Sequence, residues 1–217
     1  MTAIAVEEVL AATQPYLSLA PRPQPLAPAV FLDRDGTINE EVQYLSRSEE
    51  VRLLPGAAEA LRLLKERGFK RIIVSNQSGV ARGYFSEKEV AEVHTRLLAL
   101  LASERSGVEG IYHCSHGPEE GCECRKPKSG LVKKAEKEHH LDLSRSYVVG
   151  DKVSDVALAR NLGLKAVLVL TGYGKQALQE LREGEVVPDH VAEDLCEAAH
   201  WIVEDSVERE DEWRKLR

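Results

Sequence analysis

Five short, strand-like apolar runs, separated by stretches of helical periodicity, constrain the fold of this chain more than any other feature. The runs are Ala29 to Leu32, Lys70 to Ser75, Gly110 to Cys114, Tyr147 to Val149 and Ala166 to Leu170. Short strands that are almost continuously apolar are those buried on both faces, the situation of a parallel sheet. Between them, Pro55 and Gly56 open a helix whose Ala57, Ala60, Leu61 and Leu64 recur at helical spacing, with Gly68 just past its end. Ser86 and Glu89 make a capping box ahead of Val90, Val93, Leu97 and Leu101. Helices are also expected over about 129–140 and 153–162, and a last amphipathic helix carries Val191, Leu195, Ala198 and Ile202. The expectation is α/β: a three-layer, Rossmann-like parallel sheet with helices on both faces.

A chain of 217 residues suits one domain with decorated ends. Residues 1–27 hold Pro15, Pro21, Pro23 and Pro25 and are read as a proline-rich leader, because such runs favour extended, weakly packed chain. Residues 28–204 form the expected domain, and 205–217 a charged tail. No apolar run approaches the ~20 residues of a membrane span. The start lacks the basic and apolar segments of a signal peptide, so a cytoplasmic protein is expected, and a monomer is the separate expectation for its assembly. A net charge of −7 argues against coating nucleic acid. An anionic substrate would therefore need a local cluster of cations.

The first apolar run leads straight into Asp33-Arg34-Asp35-Gly36-Thr37. Side chains alternate along an extended segment, so Asp33 and Asp35 can point into one site, and Gly36 allows a sharp turn. Two acids at the C-terminal end of a strand suggest a nucleophile beside an acid/base; the competing reading is a solvated or metal-binding turn. An EF-hand starting at Asp33 fails, since the required glycine and glutamate are replaced by Ile38 and Tyr44. Ser75 also ends a strand, and its hydroxyl with the following amides could hold phosphoryl oxygens. Asp151 follows the strand at Tyr147, and with Asp33 it could bind Mg²⁺, which prefers oxygen ligands. Asp155 reads as a helix-start residue or a support behind the ligands, rather than as a direct ligand.

Cys114, His116, Cys122 and Cys124 fall within eleven residues. Three thiolates and one imidazole make a closed, structural zinc set, with a strained Cys122–Cys124 bridge as the alternative. The loop ends in Arg125-Lys126, so a pinned loop would hold two cations at a defined place.

Taken in order, Asp33-x-Asp35-Gly-Thr, Ser75, Lys126 and Gly150-Asp151 resemble the four motifs of the haloacid-dehalogenase-type phosphatases. The zinc loop and the run SNQSGVARGYF (75–85) are similar to the branch that holds heptose bisphosphate and histidinol-phosphate phosphatases. The resemblance implies Asp33 as nucleophile, Asp35 as acid/base, Ser75 and Lys126 on the phosphoryl group, and Mg²⁺ held by Asp33, the Asp35 carbonyl and Asp151. It also implies substrate contacts from Glu41, Val42, Gln43, Tyr44, Asn76, Gln77, Ser78, Arg125 and Lys152. Arg125, with its bidentate fork, is the natural partner for a second phosphate. Only 41 residues separate Asp33 from Ser75 and 50 separate Ser75 from Lys126, which leaves no room for a large cap domain. The substrate expected is a sugar phosphate, heptose bisphosphate first and histidinol phosphate second. An inactive zinc-stabilised binding module is the third reading.

Overall fold

The computed structural model describes residues 26–184 and 186–215, so the leader expected over 1–27 lies almost wholly outside the described residues. Six strands form one parallel sheet: β1 Ala29–Leu32, β2 Lys70–Asn76, β3 Gly110–Cys114, β4 Tyr147–Gly150, β5 Lys165–Val169 and β6 His190–Ala192, in the order β3-β2-β1-β4-β5-β6. The helices are α1 Ala57–Glu66, α2 Glu87–Ser103, α3 Gly130–His139, α4 Val153–Leu162, α5 Gly174–Glu183 and α6 Leu195–Lys215.

Alternation along the strands divides the core in two. Val30, Leu32, Ile73, Tyr147, Val149, Val167 and Val169 face α1, α2 and α6. Ala29, Phe31, Ile72, Val74, Val148, Ala166 and Leu168 face α3, α4 and α5. This is the period-2 logic of a strand buried on both sides, and it makes the expected three layers. The capping box at Ser86 forms as expected: Ser86 Oγ accepts the Glu89 N–H, and the Glu89 carboxylate accepts the Ser86 N–H.

Two elements differ from the sequence expectation. Val191 lies in β6, the edge strand beside β5, and the last helix starts at Leu195. A three-residue strand is too short to show a period of its own. Helix α5 is the other difference: Ala177 and Leu181 are buried and Leu178 packs beside them, a short helical stripe that the sequence reading passed over. Helix α6 runs through the boundary expected at 204/205. Asp205 on it is buried, accepts the Tyr147 hydroxyl at 2.7 Å and pairs with Lys165. Among the described residues, no helix is long and apolar enough to cross a membrane.

Candidate active site

The chain runs β1, β2, β3 outward on one side and returns to β4 on the other side of β1. Open α/β sheets form their ligand crevice at such a reversal, outside the C-terminal ends of the strands. The Asp33 N–H donates to Val149 O at 2.9 Å, which sets the carboxylates that follow β1 and β4 side by side. A pocket of about 300 Å³ opens there. Asp33, Asp35, Glu41, Gln43, Tyr44, Ser75, Asn76, Gln77, Ser78, Arg125, Lys126 and Lys152 all line it. Val42 is not among its lining residues and is exposed.

Asp33 and Lys126 are both buried, and their charges define the floor. Asp33 Oδ1 accepts the Arg34 N–H at 2.8 Å and meets Lys126 Nζ at 2.9 Å. Lys126 Nζ also lies 2.6 Å from Asp155 Oδ1. Burial pushes the Asp33 carboxyl up, but Lys126 and Lys152 more than offset it and hold the group below the usual carboxylate range. Burial likewise opposes the charge of Lys126, and Asp155 and Asp33 outweigh it. The lysine expected at the phosphoryl group is therefore a fixed ammonium clamped between two acids. Asp155 does start α4, where its Oδ2 accepts the Lys152 N–H at 3.1 Å. Its contact with Lys126 spans too much sequence to be foreseen.

Asp35 sits in a different field. Arg34 donates to it in a fork, Nε to Oδ1 at 2.9 Å and Nη2 to Oδ2 at 2.7 Å. Asn39 and Gln77 add one N–H each, at 2.9 and 3.0 Å. Burial raises the Asp35 carboxyl, yet the Arg34 charge and these donors pull it below its ordinary value. Arg34 is itself fully buried and was not singled out from the sequence, although an arginine between two acids is a usable sign of such a pair.

The residues after β2 divide by what they touch. Gln77 turns to Asp35, Arg34 and Ser75. Asn76 brackets the backbone of Lys126: its Oδ1 accepts the Lys126 N–H at 3.0 Å and its Nδ2 donates to the Lys126 carbonyl at 3.2 Å. Phe85, the last residue of the run 75–85, also lines the pocket, as do Ser154 and Tyr173, which sequence reasoning missed.

Asp151 is wholly buried, and the backbone closes around it. A Cβ at Gly36 would lie 2.1 Å from Asp151 Oδ2, and one at Gly172 would lie 2.2 Å away. Both glycines also have positive φ, which side chains rarely adopt. Asp151 Oδ2 accepts the Tyr173 N–H at 2.8 Å, while Oδ1 has no hydrogen bond. Burial and the neighbouring Asp33 push the Asp151 carboxyl up to about 7. Oxygens of Asp33, Asp151 and Asp155 lie within 4.8 Å of one another. A buried carboxylate with an unmatched oxygen beside a second acid fits a hard divalent cation such as Mg²⁺.

At the end of β3, the sulfurs of Cys114, Cys122 and Cys124 are 3.2–3.6 Å apart. His116 Nδ1 lies 3.6 Å from Cys114 Sγ and 3.2 Å from Cys124 Sγ. A disulfide needs about 2.05 Å, so no bridge joins Cys122 and Cys124. A tetrahedron with ~2.3 Å bonds to sulfur has edges of about 3.8 Å, close to this spacing, so the set fits a closed zinc site.

The sequence profile of the haloacid dehalogenase-like hydrolase family matches residues 26–160. The chain is 44% identical to a D-glycero-D-manno-heptose-1,7-bisphosphate 7-phosphatase of Thermosynechococcus vestitus, over 81% of this chain and 95% of that protein. It is 41% identical to D-glycero-beta-D-manno-heptose-1,7-bisphosphate 7-phosphatase of Yersinia pestis, over 78% and 92% of the two chains. It superposes on the crystal structure of D,D-heptose 1,7-bisphosphate phosphatase from B. bronchiseptica, complexed with magnesium and phosphate, with a TM-score of 0.75 and 31% identity, over 82% of this chain and 99% of that one. Fold, motif order and sequence agree: the chain belongs to the haloacid dehalogenase-like hydrolases, in the branch of the heptose bisphosphate phosphatases.

Proposed function

We propose that the protein is a Mg²⁺-dependent phosphatase that removes the 7-phosphate of D-glycero-D-manno-heptose 1,7-bisphosphate through an aspartyl-phosphate on Asp33. The observation that carries the reading is the clamp on Asp33. Lys126 and the Arg34 amide hold Oδ1 and the Lys152 ammonium stands 3.8 Å from Oδ2, which keeps the Asp33 carboxylate ionised as the nucleophile. The Asp33 carboxylate attacks phosphorus, the bond from phosphorus to the sugar oxygen breaks, and Asp35 gives that oxygen its proton. Water then attacks the aspartyl-phosphate, Asp35 takes the proton back, and inorganic phosphate leaves. Positioned proton transfer of this kind contributes typically ~10²–10⁴-fold. The donors around Asp35 favour its carboxylate, the form that receives a proton from water. Protonation of the leaving oxygen is the half of the cycle that works against them.

Asp33, Asp151 and the Asp35 main-chain carbonyl would hold Mg²⁺, which when bound offsets the negative charge gathered on the phosphoryl group. Ser75 and Lys126 steady the same oxygens, and Arg125 at the pocket wall takes the phosphate that stays on the sugar. Glu41, Gln43, Tyr44, Ser78 and Lys152 line the sugar's side of the pocket. Zinc on Cys114, His116, Cys122 and Cys124 has a structural part only, since four protein ligands leave no place for water. The phosphatase domain starts at residue 28 and extends past 204, through Asp205 on α6. It acts as a cytoplasmic monomer on precursors of ADP- or GDP-heptose for surface polysaccharide.

Steady-state phosphate release from both anomers of the heptose bisphosphate and from histidinol phosphate tests the substrate. Higher kcat/KM on histidinol phosphate would overturn the choice. Asp33→Asn should abolish turnover while thermal stability and zinc content persist; appreciable residual turnover would refute the covalent step.

A further inference from the structure

Lys152 has a place in the site that a substrate contact does not explain. Its Nζ lies 3.8 Å from Asp33 Oδ2 and 3.7 Å from Asp151 Oδ1. These are the two oxygens left over when every other contact of the pair is counted. Asp33 Oδ1 is engaged by Lys126 and the Arg34 amide, and Asp151 Oδ2 by the Tyr173 amide. Neither distance to Lys152 is short enough for a hydrogen bond. The one hydrogen bond Lys152 Nζ makes is to Glu41 Oε2, at 3.0 Å, on the loop that follows β1. The ammonium also stands 5.2 Å from the centre of the Tyr173 ring. It is thus tethered on the pocket side, facing two buried acids and touching neither.

Charge explains the arrangement. Three carboxylates, from Asp33, Asp151 and Asp155, are gathered out of water, and Lys126 is buried among them. A cation at 3.7–3.8 Å lowers the cost of the remaining negative charge without filling the space between the oxygens. A divalent cation bound there would use the same oxygens at about 2.0–2.1 Å and would repel the ammonium.

We propose that Lys152 is a built-in counter-cation for the Asp33–Asp151 pair, held off the cation site by Glu41, and that it yields to Mg²⁺ by withdrawing further into the substrate's side of the pocket with Glu41 as its anchor. Lys152 and Mg²⁺ then oppose one another, and Glu41 favours the metal by drawing the lysine away. The proposal rests on the Mg²⁺ reading of Asp33 and Asp151, and not on the identity of the sugar.

Calorimetric titration of Mg²⁺ into the full chain tests it, using wild type, K152M, E41Q and the double variant, each prepared without added Mg²⁺. K152M should bind Mg²⁺ on the order of tenfold more tightly. E41Q should bind it roughly threefold to tenfold more weakly, because the freed lysine settles on the two aspartates. In the K152M background the Glu41 change should have no effect beyond about twofold, since Glu41 acts through the lysine. Without metal, K152M should melt roughly 3 °C or more below wild type, because the acid pair loses its screen. Equal or weaker Mg²⁺ binding by K152M overturns the proposal. An E41Q effect of the same size in both backgrounds, or unchanged melting of metal-free K152M, also overturns it. Absence of Mg²⁺ binding by the wild type would overturn the metal reading itself and this proposal with it.

Discussion

Replacing Asn76 with alanine separates a residue that touches substrate from one that positions Lys126, the lysine proposed to steady the phosphoryl group. The two hydrogen bonds from Asn76 to the Lys126 backbone, at 3.0 and 3.2 Å, are partly buried, so each is worth about 0.5–1.5 kcal/mol and the pair about 1–3 kcal/mol. For a chain of this size that corresponds to a melting temperature lower by about 3–10 °C. The consequence for turnover is larger. Without Asn76 the Arg125-Lys126 segment can slide along the end of β2, and a shift of ~1 Å at a reacting group costs up to ~10² in rate. The brackets on the Lys126 ammonium, at 2.9 Å to Asp33 and 2.6 Å to Asp155, remain and moderate the loss. Asn76→Ala should therefore lower kcat by roughly 10–100-fold while KM stays within about twofold. Steady-state phosphate release, run on the heptose bisphosphate and on a simple aryl phosphate, reads both constants. A raised KM with unchanged kcat would refute the reasoning and return Asn76 to the substrate contacts that the family resemblance implied.

Arg125→Ala should raise KM for the bisphosphate by about tenfold or more and leave a monophosphate analogue nearly unaffected; equal losses on both would remove the distal-phosphate role. Elemental analysis should find about one zinc per chain, and Cys122→Ser should lose it. Because Asn76 holds Lys126 independently of the metal, that variant should show its loss mainly in KM for the bisphosphate; a protein purified without zinc would defeat the assignment. Asp205→Ala leaves the buried Tyr147 hydroxyl without its 2.7 Å acceptor, which costs about 1–3 kcal/mol and lowers the melting temperature by about 3–10 °C. Since Tyr147 begins β4 and the site lies past its other end, kcat should be unchanged; melting equal to wild type would show that α6 beyond Glu204 adds nothing to the domain.

What could be read in the sequence was local, and what could not was the meeting of distant residues. Five of the six strands announce themselves because each is a short, largely apolar run bounded by polar or small residues. Helix α5 shows only one short stripe, Ala177, Leu178 and Leu181, among charged and polar residues, and the three residues of β6 cannot display a period. The two aspartates of β1 and the four zinc-type ligands are close in sequence, so geometry follows from spacing. The bond between Lys126 and Asp155, the cradle of Gly36 and Gly172 around Asp151, and the turn of Asn76 toward Lys126 all join separate strand ends. No spacing rule reaches that far. The leader is a separate matter, because the prolines that mark it fall before residue 26.

The glycines at 36 and 172 divide the site by how freely it can change. Around Asp151 one backbone packs against another, and a single methyl group at either position would fall about 2.1–2.2 Å from the carboxylate. That half of the site admits no side chain and therefore almost no variation. The other half is built from side chains on loops, such as Gln43 and the part-exposed Tyr44, whose replacement disturbs no packed backbone. A lineage starting from this chain can thus exchange one sugar phosphate for another by drift at the loops while the phosphoryl chemistry stays fixed. Substrate range and reaction type are, in this fold, separately heritable.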